Sequence, residues 1–283
     1  MKQVVQSLRT GETAVIEVPA PSLHCNSLLI RSSVTLISSG TEKMLVDFGR
    51  ANLISKALQQ PDKVRASLEK AKVDGVGPTL AAISGKLSDA LPLGYCNVGR
   101  VEGVGGDLSG TFSVGDRVVS NGHHAEIVSA RGNLCCKIPE NVTDESASFA
   151  IVGAIALQGI RLAEPSLGET VVVFGLGLIG LLTVQLLRAN GCRVIAVDAV
   201  DERLRLAETF GASAVDISNG RGLEKLKGLS IPAAGADVVI IAASTKENSV
   251  IHDAAEICRQ RGRIVLVGVV GLKLIRDDFH EKS

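Results

Sequence analysis

Residues 171–180 read Val-Val-Val-Phe-Gly-Leu-Gly-Leu-Ile-Gly, an apolar, mostly β-branched run that meets glycines at 175, 177 and 180. Few local patterns restrict a chain so much. The run suits one buried strand, the first glycine suits a tight turn, and the mostly apolar residues that follow suit a helix packed back on the strand. Gly175 makes the turn in this reading, Gly177 lets the backbone approach a pyrophosphate, and Gly180 lets helix and strand pack closely. Leu176, Leu178 and Ile179 complete the loop. A helix N-terminus there offers unpaired N–H groups and partial positive charge to phosphates. The competing reading of 171–187 as a membrane helix is disfavoured by glycines in this spacing.

The rhythm after Gly168 is strand and helix in alternation. Strands are predicted over 171–174, 193–197, 214–217, 237–241 and 263–267, with helices over 178–189, 201–210, 223–229 and 247–260. Such alternation predicts a parallel, doubly wound sheet. Aromatic residues are 2% of the chain, with one Tyr and no Trp, so Val, Ile, Leu and Ala must fill the core, as in buried parallel sheets. The second strand ends at Asp198, from which a carboxylate can hydrogen-bond the adenosine ribose. That points to NAD(H), since a 2′-phosphate would meet like charge. Two other readings of this stretch stand beside it: Asp198 as a cap of the helix at 201, and Arg203 as a solvated residue or one flanking the adenine. Ala243, Val267 and Gly268, at later strand ends, join the candidate cofactor set.

The first half is different. Residues 1–40 read as strands, notably 15–18 and 28–37, and short Gly-punctuated strands return over 98–104, 116–119 and 125–128. Between them, 42–90 carries helical patterns at 44–58, 62–73 and 80–87 and reads as an insertion. A mostly apolar helix over 145–164 connects to the second half. Thirty basic and thirty acidic residues cancel, with no basic stripe, so neither nucleic acid nor a membrane surface is an expected partner. The six cysteines form no Cys-x-x-Cys, and the N-terminus lacks an apolar signal core, which together predict a cytoplasmic protein.

The order of these parts, with Ser39-Gly-Thr-Glu42, Leu93-Gly-Tyr-Cys-Asn-Val-Gly99, Val114-Gly-Asp-Arg-Val118, the glycine turn and Gly262-Arg-Ile-Val-Leu-Val-Gly268, resembles the medium-chain dehydrogenase/reductase superfamily. The resemblance implies an α/β chain: a β-rich, GroES-like barrel domain over 1–150 with a helical insertion, then a Rossmann domain over 151–283 that is short at its C-terminus. It also implies a cleft between domains with the nicotinamide at its base, a small-molecule substrate, and a homo-oligomer or a missing C-terminal portion.

The departures from the family are as informative. Zinc-dependent members place Cys, His and a further Cys or Glu where this chain has Ser39, Tyr95 and Ile151, and the Cys-rich structural zinc lobe is absent. Zinc needs thiolate, imidazole or carboxylate ligands, so no metal is expected, and Cys96 with His123 or His124 lacks a third partner. The chain looks most like the zinc-free branch, and it resembles the N-terminal half of fused sugar-related oxidoreductases. Without zinc, a hydrogen-bond donor must handle the substrate oxygen. Tyr95 is the leading candidate, with Thr41 near the nicotinamide ribose, Glu42 as a base or a solvated helix-start carboxylate, and His124 at the pocket rim. Two functions follow as expectations: a zinc-independent NAD(H) oxidoreductase acting on an alcohol or carbonyl, or a dinucleotide-binding module without turnover.

Overall fold

The computed structural model of the chain describes residues 1–8, 10–51, 90–218, 224, 226, 235–245, 247–276 and 279. Most of the expected insertion over 42–90, and most of the short helix expected over 223–229, lie outside the described residues. The chain forms two compact units, Met1–Ile151 and Val152–Ser283.

The first unit is built on antiparallel strands β1 (Lys2–Ser7), β2 (Thr13–Glu17), β3 (Ser27–Thr35), β4 (Ala90–Pro92), β5 (Asn97–Val104), β6 (Arg117–Ser120), β7 (Ile127–Arg131) and β8 (Cys135–Lys137). They form a three-stranded sheet, β2-β1-β4, and a five-stranded sheet, β7-β3-β5-β6-β8. A bridge between Gln3 and Ala125 joins the two. Leu28, Ile30, Val101, Phe112, Val118 and Val128 make the core. The β3–β5 register shifts twice, between Leu29 and Ile30 and between Ser32 and Val34. Such bulges increase twist and bend a sheet. The strand expected over 28–37 ends at Thr35 because helix α1 (Ser39–Arg50) begins there, five residues before the apolar spacing suggested.

The helix expected over 145–164 is two helices, α2 (Asp144–Ala147) and α3 (Ala150–Ala163). Thr143 caps α2 by accepting the Ser146 N–H, and the Ser148 hydroxyl turns back to donate to the Glu145 carbonyl at 2.6 Å, closing the turn before α3 starts.

The second unit is a parallel sheet of β9 (Thr170–Phe174), β10 (Arg193–Asp198), β11 (Ser213–Asp216), β12 (Ala236–Ile241) and β13 (Cys258–Leu266), in the order β11-β10-β9-β12-β13. Every residue of β9 is buried. Val171 and Val173 pack with Val184 and Leu187 of α4 (Leu178–Ala189) and Leu204 of α5 (Asp201–Thr209). Val172 and Phe174, which point the other way, pack with Ile251 and Ala254 of α6 (Ser249–Ile257). A strand buried on both faces between helices explains the unbroken apolar run in the sequence. Chain order reverses between β9 and β12, and in open α/β sheets ligands bind outside the strand C-termini at such a reversal. The helix expected over 247–260 stops at Ile257, because Cys258 pairs with Ala236 and Arg259 Nε donates to Asp237 Oδ1 at 2.7 Å. That ion pair draws the chain into β13 early.

Candidate functional sites

At the C-terminal end of β9 the backbone turns at Gly175, whose φ of +87° is one that L side chains rarely adopt. A Cβ on Gly175 would lie 2.6 Å from the Ala243 backbone, one on Gly268 would lie 2.0 Å from the Ala243 carbonyl oxygen, and one on Gly180 would lie 1.9 Å from the Gly175 carbonyl oxygen. The ends of β9, β12 and β13 are thus drawn together with no room for side chains. Gly177, the N-cap of α4, is different: nothing lies within 4 Å of where its Cβ would be. The α4 N-terminus has no side-chain cap, so its first-turn N–H groups are left to solvent or a ligand. These N–H groups belong to Leu178, Ile179 and Gly180.

Asp198 closes this loop from the side. Its Oδ2 accepts the Leu176 N–H at 2.6 Å and lies 3.5 Å from an Arg203 guanidinium nitrogen, and its Oδ1 accepts the Val200 N–H at 2.9 Å. The carboxylate therefore both anchors the glycine loop and caps the entry to α5. Leu176 differs from its sequence expectation. Its side chain is fully buried in the core and its N–H is committed to Asp198, so it shapes the loop and has no amide to give a phosphate. Arg203 is half-exposed. Val267 packs beside Gly159 of α3, with its N–H on the Ile241 carbonyl at 2.9 Å.

The first unit gathers the four side chains singled out for proton chemistry. The Tyr95 hydroxyl donates to Ser38 Oγ at 2.7 Å and lies 3.4 Å from Thr41 Oγ1. Glu42, one turn into α1, is buried: its Oε1 accepts the Ser38 N–H at 2.8 Å, and its Oε2 meets His124 Nε2 at 2.9 Å. This corrects the picture of Glu42 as a solvated helix-start carboxylate, since both oxygens are engaged away from water. The His124 main chain is tied on both sides, to Leu93 and to Val4, and its ring lies against Gly94. Exposed His123 meets the Gly94 carbonyl through Nδ1 at 2.8 Å. Ser38, 4% exposed, was not singled out from the sequence. The available signal was its place just before a helix.

The residues at the positions that the sequence resemblance aligns with zinc ligands lack the donor chemistry of the metal. Ser39 is exposed at the start of α1, the Tyr95 phenol is bonded to Ser38, and Ile151 packs on Val98, Val119 and Ala147. No group of three or more His, Cys, Asp or Glu is placed to hold a metal among the described residues. Nor, among those residues, is any helix long and apolar enough to cross a membrane.

Residues 179–280 match the family described as zinc-binding dehydrogenase. The chain is 29% identical over 177 residues to an alcohol dehydrogenase of Geobacillus stearothermophilus, covering 62% of this chain and 49% of that protein. Among solved structures it resembles the alcohol dehydrogenase TADH of Thermus sp. ATN1, with a TM-score of 0.76 and 22% identity over 100% of this chain and 82% of that one. A dehydrogenase of Escherichia coli CFT073 solved with NADH gives a TM-score of 0.73 and 22% identity over 100% of this chain and 81% of that one. The fold is that of the medium-chain alcohol dehydrogenases. Within that fold, the chain spans about half the length of the curated relatives it matches. The matched family segment lies in the second unit and does not include residues 39, 95 and 151.

Proposed function

We propose that the chain is the catalytic part of a zinc-independent, NAD(H)-dependent oxidoreductase acting on an alcohol or carbonyl carbon. The observation that carries this reading is the Tyr95 phenol, held 2.7 Å from Ser38 Oγ, at a position that the sequence resemblance aligns with a metal-binding His. Bound NAD(H) supplies the hydride chemistry. The chain's own residues must hold the substrate oxygen and handle its proton. Tyr95 is suited to this because a phenol both donates and accepts, and Thr41 offers a second hydroxyl beside it. Gly175, Gly177 and Gly180 with the α4 N-terminus would hold the pyrophosphate, and Asp198 would accept from the adenosine ribose.

The test is turnover. The chain, within the protein that naturally contains it, should transfer hydride between NAD(H) and at least one member of a panel of alcohols, polyols and their carbonyl partners. Elemental analysis after dialysis should find no stoichiometric zinc. Activity that is abolished by chelation and restored by zinc would refute the metal-free reading. Cofactor binding without turnover on any panel member would favour a dinucleotide-binding module.

Cofactor choice follows from Asp198. NAD(H) should bind at least about tenfold more tightly than NADP(H), or about 1.4 kcal/mol. A 2′-phosphate would approach a buried carboxylate and forfeit the ribose hydroxyl bonds. Arg203, 3.5 Å from Asp198, softens that repulsion, so the expected result is a preference and not exclusion. Calorimetric titration with both cofactors decides it; equal affinities would remove Asp198 from the recognition site.

A further inference from the structure

A serine at a helix N-cap ordinarily turns its hydroxyl onto the N–H of the second or third helical residue. Ser38 stands at the N-cap of α1 and makes no such bond. It is buried, and a buried hydroxyl needs a partner. Its partner is the phenol of Tyr95, which donates to it at 2.7 Å. The helix start thus forgoes its usual cap, and the hydroxyl serves a residue 57 positions away in sequence.

We propose that Ser38 is a positioning residue for Tyr95, fixing where the phenol oxygen sits and where its proton points, and that the Glu42–His124 pair holds Ser38 in place for this. Four hydrogen bonds support the second part. Glu42 Oε1 accepts the Ser38 N–H, its Oε2 meets His124 Nε2, and both groups are at most one-tenth exposed. The His124 main chain accepts from Val4 N–H and donates to the Leu93 carbonyl, so the pair is anchored to two other segments. The His124 ring also lies where a Cβ on Gly94 would be, 2.7 Å away, and Gly94 has φ of +89°. Tyr95 is therefore held at both ends: its backbone follows a glycine pressed on His124, and its oxygen rests on the serine that Glu42 fixes. Thr41, at 3.4 Å, is a weaker second partner. A phenol whose proton is directed at Ser38 keeps its lone pairs free, which is the geometry for accepting a hydrogen bond from a substrate hydroxyl.

The catalytic consequence rests on the reading of Tyr95 given above, but the positioning itself is testable without substrate or cofactor. This chain has one Tyr and no Trp, so its tyrosine vibrational bands report Tyr95, and the difference spectrum against Tyr95→Phe isolates that signal in any longer protein that contains it. In ultraviolet resonance Raman spectra the intensity ratio of the tyrosine Fermi doublet separates a donating phenol from an accepting or solvated one. The wild-type protein should show the donor ratio. Ser38→Ala should shift it to the solvated ratio, Ser38→Thr should keep the donor ratio, and Glu42→Leu should shift it as Ser38→Ala does. With an active preparation, kcat should fall about tenfold to a hundredfold in Ser38→Ala and recover in Ser38→Thr. A wild-type spectrum without the donor ratio would overturn the proposal even if no variant folds. So would a folded Ser38→Ala protein with the wild-type ratio. A donor ratio with no turnover on the panel would leave Ser38 in place and defeat the oxidoreductase reading; turnover with a solvated ratio would do the reverse.

Discussion

Gly180→Ala should lose both stability and cofactor binding, whereas Gly177→Ala should lose only the second. The two glycines stand three residues apart in one motif, yet their surroundings differ completely. A methyl on residue 180 would meet the Gly175 carbonyl oxygen at 1.9 Å, and that oxygen belongs to a turn fixed by φ of +87° and by the neighbouring Ala243 backbone. Backbone cannot swing aside as a side chain does, so α4 must lift from β9. Overpacking of this severity costs about 3 kcal/mol or more, a large fraction of the stability of a domain. A methyl on residue 177 meets nothing within 4 Å, and its φ of −68° is ordinary for alanine. The open space beside it is where a pyrophosphate must come close. Thermal denaturation should therefore place Gly177→Ala within about 0.5 kcal/mol of wild type, while calorimetry finds NAD(H) affinity reduced at least about tenfold. If Gly177→Ala binds NAD(H) normally, the glycine motif is a packing device and the cofactor site lies elsewhere.

Tyr95→Phe should lower kcat by about a hundredfold to ten-thousandfold, the usual contribution of a positioned general acid or base, and leave NAD(H) affinity within about threefold of wild type. The ring stays and only the hydroxyl leaves, so packing is little changed. The variant also removes the group that donates to buried Ser38, and a stability loss of about 1 kcal/mol is expected from that hydrogen bond. The two effects separate by measurement: stopped-flow or steady-state rates at saturating cofactor for the first, denaturant unfolding for the second. A rate near wild type with the stability loss intact would reduce Tyr95 to a ring that fills space.

The sequence disclosed the second unit more fully than the first, for a physical reason. A strand buried on both faces writes its burial into consecutive residues, as 171–174 do, and a glycine turn is chemically conspicuous. The register at which a helix yields to a strand is less visible. Residues 258–260 kept a helical pattern, and what ended the helix was Arg259 reaching Asp237, a partner 22 residues back. The same limit explains Ser38 and Glu42. Tyr95, Thr41, Glu42 and His124 were each legible as candidate chemistry, but their pairing depends on how β4, α1 and the segment before β7 converge. No spacing rule foretells that a cap serine will leave its helix to hold a phenol, or that a carboxylate near a helix start will be buried against a histidine 82 residues on.

Asp198 serves two masters, and this bears on how cofactor preference can change. The carboxylate proposed to face the ribose also holds the Leu176 amide of the glycine loop and the Val200 amide at the start of α5. Replacing it to admit a 2′-phosphate would also loosen the loop proposed to hold the dinucleotide. A lineage or an engineer moving this protein toward the phosphorylated cofactor cannot do so by one exchange at 198. The accessible route leaves Asp198 in place and adds positive charge around Arg203 first, because asparagine would keep only one of the two acceptor oxygens that these amides use.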